Sequence, residues 1–169
     1  ILFFSFFLLI FSNYEAQNIQ KVVANVRGYN IDFVEIYTDQ NLFVLNSTGE
    51  ISSVSSKILN GNLDYFDDPH YNKEKFGKLK NFGDQQVEYW LTSDENDPKY
   101  GKVKRIGSVE ITYWDSRNYD KEKLGKVKSI GIIPIDYWEK YGFDEDRVGK
   151  IKSIGKIYVD YYEKEPIND

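Results

Sequence analysis

The sequence predicts an all-β fold: an array of β-hairpin repeats forming an antiparallel meander or solenoid-like sheet, with N-terminal strands as its cap. Three observations predict it. The motif Gly-Lys-apolar-Lys recurs at Gly77, Gly101, Gly125 and Gly149, each 24 residues after the last, and a constant period marks copies of one supersecondary unit. Within each copy, β-branched residues alternate with polar ones around a fixed glycine, which is hairpin patterning. Ahead of the array, residues 17–60 are strand-rich in a different pattern, as the end unit of a repeat stack must be.

In chain order, residues 1–16 come first. ILFFSFFLLIF is too short an apolar run to span a bilayer, which takes about 20 residues. It matches the apolar core of a secretory signal peptide, with Ala16 at the cleavage point. The missing initiator Met and basic leader predict an N-terminally truncated signal peptide. Export is therefore expected, to the periplasm, the cell surface or the medium, with no membrane span in the mature chain. Within the cap, NIDFVEIYTDQNLFVLNSTGEISSV reads as strand, turn at Asp39-Gln40-Asn41, strand, turn over residues 46–49, strand. QKVVANVRGYNIDF reads as a worn copy of the repeat.

The array, residues 61–169, holds GKLKNFGDQQVEYW, GKVKRIGSVEITYW, GKVKSIGIIPIDYW and GKIKSIGKIYVDYY, preceded by a degenerate copy from Gly49 with four extra residues. A three-residue turn at Gly155-Lys156-Ile157 would pair Ile151 with Tyr161 and Lys152 with Asp160. The same register sets Lys80 opposite Glu88 and Lys128 opposite Asp136, and leaves Lys104 facing Thr112. An inner face would then collect Leu79, Val103, Val127 and Ile151 with Tyr89, Tyr113, Tyr137 and Tyr161. The opposite face would carry Phe82, Ile106, Ile130 and Ile154 with Trp90, Trp114, Trp138 and Tyr162. Pro134 lacks a donor, which predicts an edge or a bulge at its strand. In the charged connectors, Tyr71, Tyr119 and Phe143 are expected to tuck against the sheet edge.

A Tyr-rich strand, a connector and Gly-basic-apolar, as in Asp136-Tyr137 followed by Gly149-Lys150-Ile151, resembles the YD repeat of Rhs-type exported and cell-surface proteins. The resemblance covers residues 49–169. It implies an exported β-hairpin array without catalytic residues of the repeat's own. The connector is longer here, Lys replaces the usual Arg, and the order is Asp-Tyr.

Composition narrows the function. There is no cysteine, and 22 basic against 27 acidic residues give no general drive toward nucleic acid. The single histidine, His70, reads as a surface turn residue, so no His-based triad or metal site is expected. Acidic runs at residues 94–98 and 144–147 lack the spacing of a calcium loop and read as solvated charge. Neither cofactor, metal nor catalysis is expected. The candidate ligand-binding residues are the column Trp90, Trp114, Trp138 and Tyr162, a platform for a polysaccharide or an envelope protein. The sequence thus reads as an exported binding or structural module; the alternative is a polysaccharide-binding or carboxylate-based glycan-active domain.

Overall fold

The computed structural model describes residues 20–28, 30–57, 62–71, 73–115, 121–140 and 147–161. The signal-peptide expectation and Tyr162 lie outside them. Among the described residues the chain is all-β, in two antiparallel sheets of consecutive strands that do not close into a barrel. The small sheet runs β1 (Lys21–Arg27), β2 (Asn30–Tyr37), β3 (Asn41–Asn46) and β4 (Ile51–Ser56) in order. The large sheet has nine strands: β5 (Leu63–Tyr65), β6 (Leu79–Phe82), β7 (Gln85–Tyr89), β8 (Val103–Ile106), β9 (Val109–Tyr113), β10 (Val127–Ile130), β11 (Ile133–Tyr137), β12 (Ile151–Ile154) and β13 (Ile157–Tyr158).

Each repeat is a hairpin, but its turn has two residues rather than three. Phe82 pairs with Gln85, Ile106 with Val109, Ile130 with Ile133 and Ile154 with Ile157. Glycine leads every turn at positive φ, from +55° to +63° at Gly83, Gly107, Gly131 and Gly155. No described non-glycine residue has positive φ, so the left-handed strain falls only on the glycine, as in a type II′ turn.

The register differs from the sequence expectation at a second place. Between hairpins, Tyr89 pairs with Val103 while Glu88 pairs with Arg105, so the ladder skips Lys104. The same bulge skips Lys80, Lys128 and Lys152. A bulge sets two residues against one and re-aims the side chains that follow. Hence Ile106 and Ile130 are as buried as Val103 and Val127, and both sets face inward; the separate outer column of Phe82, Ile106, Ile130 and Ile154 does not form.

Among the described residues, three ion pairs cross the seam between hairpins. Asp64 meets Lys80 at 3.3 Å, Glu88 meets Arg105, and Asp136 meets Lys152 at 3.7 Å. The copy without an acid replaces the pair by hydroxyls, Thr112 and Ser129 at 2.6 Å. Pro134 sits in β11, an interior strand. Its position serves as an acceptor in every copy: Asn62, Gln86, Glu110 and Pro134 each receive the N–H of the next hairpin's turn glycine. Proline therefore keeps the bond this position supplies. Tyr71 is 88 % exposed and does not tuck against the sheet; Tyr119 and Phe143 lie outside the described residues.

The small sheet caps the array over its inner face, not over its first edge, since β5 remains an edge strand. Ile31, Val34, Ile36, Phe43 and Leu45 form one core with the inward residues of the large sheet. Phe43 meets Phe82 edge-on with ring centroids 5.9 Å apart. At Gly49 the two sheets touch directly: its carbonyl accepts from the Val103 N–H at 3.0 Å and the Tyr113 hydroxyl at 3.3 Å.

Candidate functional site

The candidate surface is the outer face of the large sheet, built from one tryptophan in each of three successive repeats. Tyr89, Tyr113 and Tyr137 point inward and are buried. Strand alternation then turns the next residue, Trp90, Trp114 or Trp138, away from the tyrosine side, where each is half-buried and Trp90 and Trp114 still pack against the core. Main-chain bonds hold each one in place. The N–H groups of Trp90, Trp114 and Trp138 donate to the carbonyls of Lys102, Lys126 and Lys150, and their carbonyls accept from Gly101, Gly125 and Gly149. The indole of Trp90 reaches the Ile111 carbonyl at 3.2 Å, and that of Trp114 reaches Ile135 at 3.3 Å. Each tryptophan is thus hooked onto the following hairpin.

Two cations lie against every ring. Lys104, Lys128 and Lys152, the bulge lysines, approach Trp90, Trp114 and Trp138 at 5.0, 4.7 and 5.4 Å from the centroid. Lys99, Lys123 and Arg147, from the connectors, approach the same rings at 5.2, 4.4 and 5.4 Å. Such contacts are each worth about 0.5–2 kcal/mol, the larger value when desolvated. The column is therefore a row of alternating aromatic and cationic groups, not a bare apolar platform. The bulge explains half of it, because it is what lifts the second lysine of each motif onto the preceding ring.

Sequence reasoning missed the connector cations. Their signal is plain in retrospect: Lys75, Lys99, Lys123 and Arg147 recur every 24 residues, two positions before each glycine, and Lys75 lies 4.9 Å over Phe66, the first copy's counterpart of the tryptophans. Lys123 is the most enclosed, only 2 % exposed, with its ammonium 2.6 Å from Asp136 and 2.5 Å from Glu139. Burial alone would depress its pKa, but the two carboxylates outweigh it and hold the ammonium above the ordinary lysine range. Asp136 is likewise affected by burial first, yet Lys123 and the Tyr137 N–H hold its carboxyl below the usual range.

This pairing sets a pH dependence. A carboxylate with a depressed folded pKa contributes stability that is present above the unfolded value of about 3.9 and is lost as pH falls through the folded one. Lys123→Met should cost about 2 kcal/mol at pH 7, modest because both partners are about one-third exposed. The deficit should shrink as Asp136 protonates. Urea midpoints of the two proteins at pH 7 and pH 3 check this; an equal deficit at both would contradict it.

On the inner side, the first lysine of each motif lies over its own hairpin's tyrosine: Lys78 on Tyr89 at 5.3 Å, Lys102 on Tyr113 at 4.9 Å, Lys126 on Tyr137 at 4.8 Å. Each ammonium donates to the glycine carbonyl of the next repeat, at Gly101, Gly125 and Gly149. Burial lowers all three lysine pKa values. The hydroxyls of Tyr89 and Tyr113 donate back to the Leu79 and Val103 carbonyls at 2.8 and 3.0 Å. Burial holds the phenols of Tyr89, Tyr113 and Tyr137 well above the ordinary tyrosine range. Groups with raised folded pKa contribute stability that is complete below the unfolded value of about 10 and declines as pH rises beyond it. An alkaline absorbance titration should therefore show these phenols ionising only as the fold is lost. Ionisation of every tyrosine in one step before unfolding would contradict it.

His70 and the acidic run at residues 94–98 resolve as turn chemistry; of the run at residues 144–147, residues 144–146 lie outside the described residues. The backbone N–H of His70 donates to Asp68 Oδ1 at 2.8 Å on an exposed turn. Asp94 and Asp97 accept from the N–H groups of Asn96 and Lys99 at 2.9 and 2.8 Å. Among the described residues, no group of three His, Cys, Asp or Glu side chains is placed to hold a metal ion. Comparison with family models, with curated proteins and with solved structures finds nothing that matches the chain.

Proposed function

We propose that the protein is an exported, non-catalytic binding or structural module of the cell envelope or the extracellular space. The outer face of its large sheet is the working surface, and a polysaccharide or an envelope protein is the partner. The observation that carries this reading is the tryptophan row. Trp90, Trp114 and Trp138, each with two cations against its ring, repeat at a fixed interval along a rigid sheet. A regular extended surface suits a regular extended partner. The cations add attraction for acidic groups on such a partner. The apolar leader and the likeness to YD-repeat proteins support export, and no helix among the described residues is long and apolar enough to cross a membrane.

Tryptophan emission and iodide quenching, measured alone and with a panel of neutral and acidic polysaccharides, test the reading. Protection of the indoles by one class of glycan supports the binding surface. Emission and quenching unchanged by every glycan would remove the polysaccharide from the proposal and leave the envelope protein or a purely structural role.

A further inference from the structure

Residues 156–160 read Lys-Ile-Tyr-Val-Asp, a run that complements its own reverse. Opposite charges stand at its two ends, a β-branched residue inside each, and an aromatic at the centre. The run starts in the turn before β13 and continues past that strand, which is one edge of the nine-stranded sheet. An edge strand offers its main-chain groups to any chain that can pair with them. Here Ile157 is 68 % and Tyr158 58 % exposed, and Val159 is half-buried where its counterparts Val87, Ile111 and Ile135 are buried. Those three each face an isoleucine of the next hairpin across the seam: Ile106, Ile130 and Ile154. The Val159 N–H donates to the Lys152 carbonyl within its own hairpin. The main-chain groups of Tyr158 and Asp160, one residue to either side, therefore point to the open edge. The counterparts of Tyr158 share that direction, since the carbonyls of Gln86, Glu110 and Pro134 each receive a turn glycine from the neighbouring hairpin.

We propose that β13 pairs with β13 of a second copy of this chain, antiparallel, about a two-fold axis through Tyr158. A two-fold interface uses one self-complementary patch on both copies. This register sets Tyr158 against Tyr158 as a hydrogen-bonded pair, Ile157 against Val159, and Lys156 against Asp160 at both ends. A centre at Ile157 or Val159 would forfeit both ion pairs. Asp160 already meets Arg147 at 3.1 Å, with its side chain 63 % exposed, but its counterpart Asp136 holds two cations. One is Lys123 from the connector at 2.6 Å, the other Lys152 across the seam at 3.7 Å. Arg147 is Lys123 one repeat on, so Lys156 of the second copy takes the place of the seam cation. Tyr158 lies edge-on to Trp138 at 5.7 Å, on the outer face. A two-fold axis perpendicular to the sheet leaves the tryptophan rows of both copies on that same side. The inference goes beyond the binding reading and does not depend on it.

The experiment is sedimentation equilibrium of the mature chain from Gln17 on, which keeps every described residue, at concentrations up to about 1 mM. The expected result is a reversible monomer–dimer equilibrium. Lys156→Glu and Asp160→Lys each set like charges opposite one another at both ends, and each alone should weaken the dimer about tenfold or more. Mixed in equal amounts, the two variants should associate as tightly as the unaltered chain, because each end of the mixed dimer again joins one acid to one base. Tyr158→Pro removes the donor at the centre and should abolish the dimer with circular dichroism unchanged, since β11 carries Pro134 at the same place. A chain that stays monomeric throughout would overturn the proposal. So would dimers that persist in Tyr158→Pro, or a mixture that associates no more tightly than its parts.

Discussion

Gly49→Ala is expected to cost about 4 kcal/mol and to loosen the small sheet from the large one. The backbone at Gly49 has φ +86°, and placing an L-residue there costs about 1–2 kcal/mol by itself. A methyl group would also stand 2.5 Å from the Tyr113 hydroxyl and 2.6 Å from its ring. Tyr113 is 2 % exposed and cannot swing into solvent without emptying the core. Its bonds to Gly49 and Val103 would be strained or lost, at about 1 kcal/mol each. Gly28→Ala is the matched control. It shares a positive φ of +64°, but nothing lies within 4 Å of an added Cβ, so only the backbone term should appear. Denaturant midpoints of the two variants separate strain from collision. Equal losses would mean that Gly49 does not join the sheets.

Trp114→Ala is expected to cost about 3 kcal/mol, the lower end of the range for a buried aromatic because the ring is half-buried. Three kinds of contact go together: the indole bond to Ile135, the ring under Lys123 and Lys128, and the packing against the core. The loss should also exceed the cost of Lys123→Met. A double-mutant cycle between Trp114 and Lys123 should return a coupling of about 0.5–2 kcal/mol. A coupling near zero would reduce the cation to a spectator of the ring.

The hairpins were legible because glycine and alternation are local signals. Gly107 opens a turn whatever lies around it, and Val109, Ile111 and Tyr113 alternate as a half-buried strand must. The faces of the first strands were not legible under the same rule. Val103 and Ile106 are three apart, and strict alternation puts them on opposite sides. Three apolar-to-apolar steps in a strand are a bulge signature, repeated at Leu79/Phe82, Val127/Ile130 and Ile151/Ile154, and the bulge brings each pair to one face. The placement of the small sheet was also beyond reach, since it turns on Phe43 meeting Phe82 and Gly49 meeting Tyr113, contacts that no local pattern announces.

The tryptophan column was legible as a period, but not its environment. Lys99 and Lys123 sit in connectors whose charge density reads as solvated loop, yet Lys123 is buried against Trp114 and two carboxylates. The period was the available signal: a cation that recurs in step with the rings has the rings as its partner.

The central claim is that each tryptophan is fastened to the hairpin that follows it, by its main chain in all three copies and by its indole as well in the first two. Hydrogen exchange of the three indole N–H groups, read by NMR, tests it most directly. The indoles of Trp90 and Trp114 donate to Ile111 and Ile135, whereas that of Trp138 has no partner among the described residues. Two strongly protected indoles and a third that exchanges faster is the predicted result. Three indoles exchanging alike, at the rate of free tryptophan, would contradict the account.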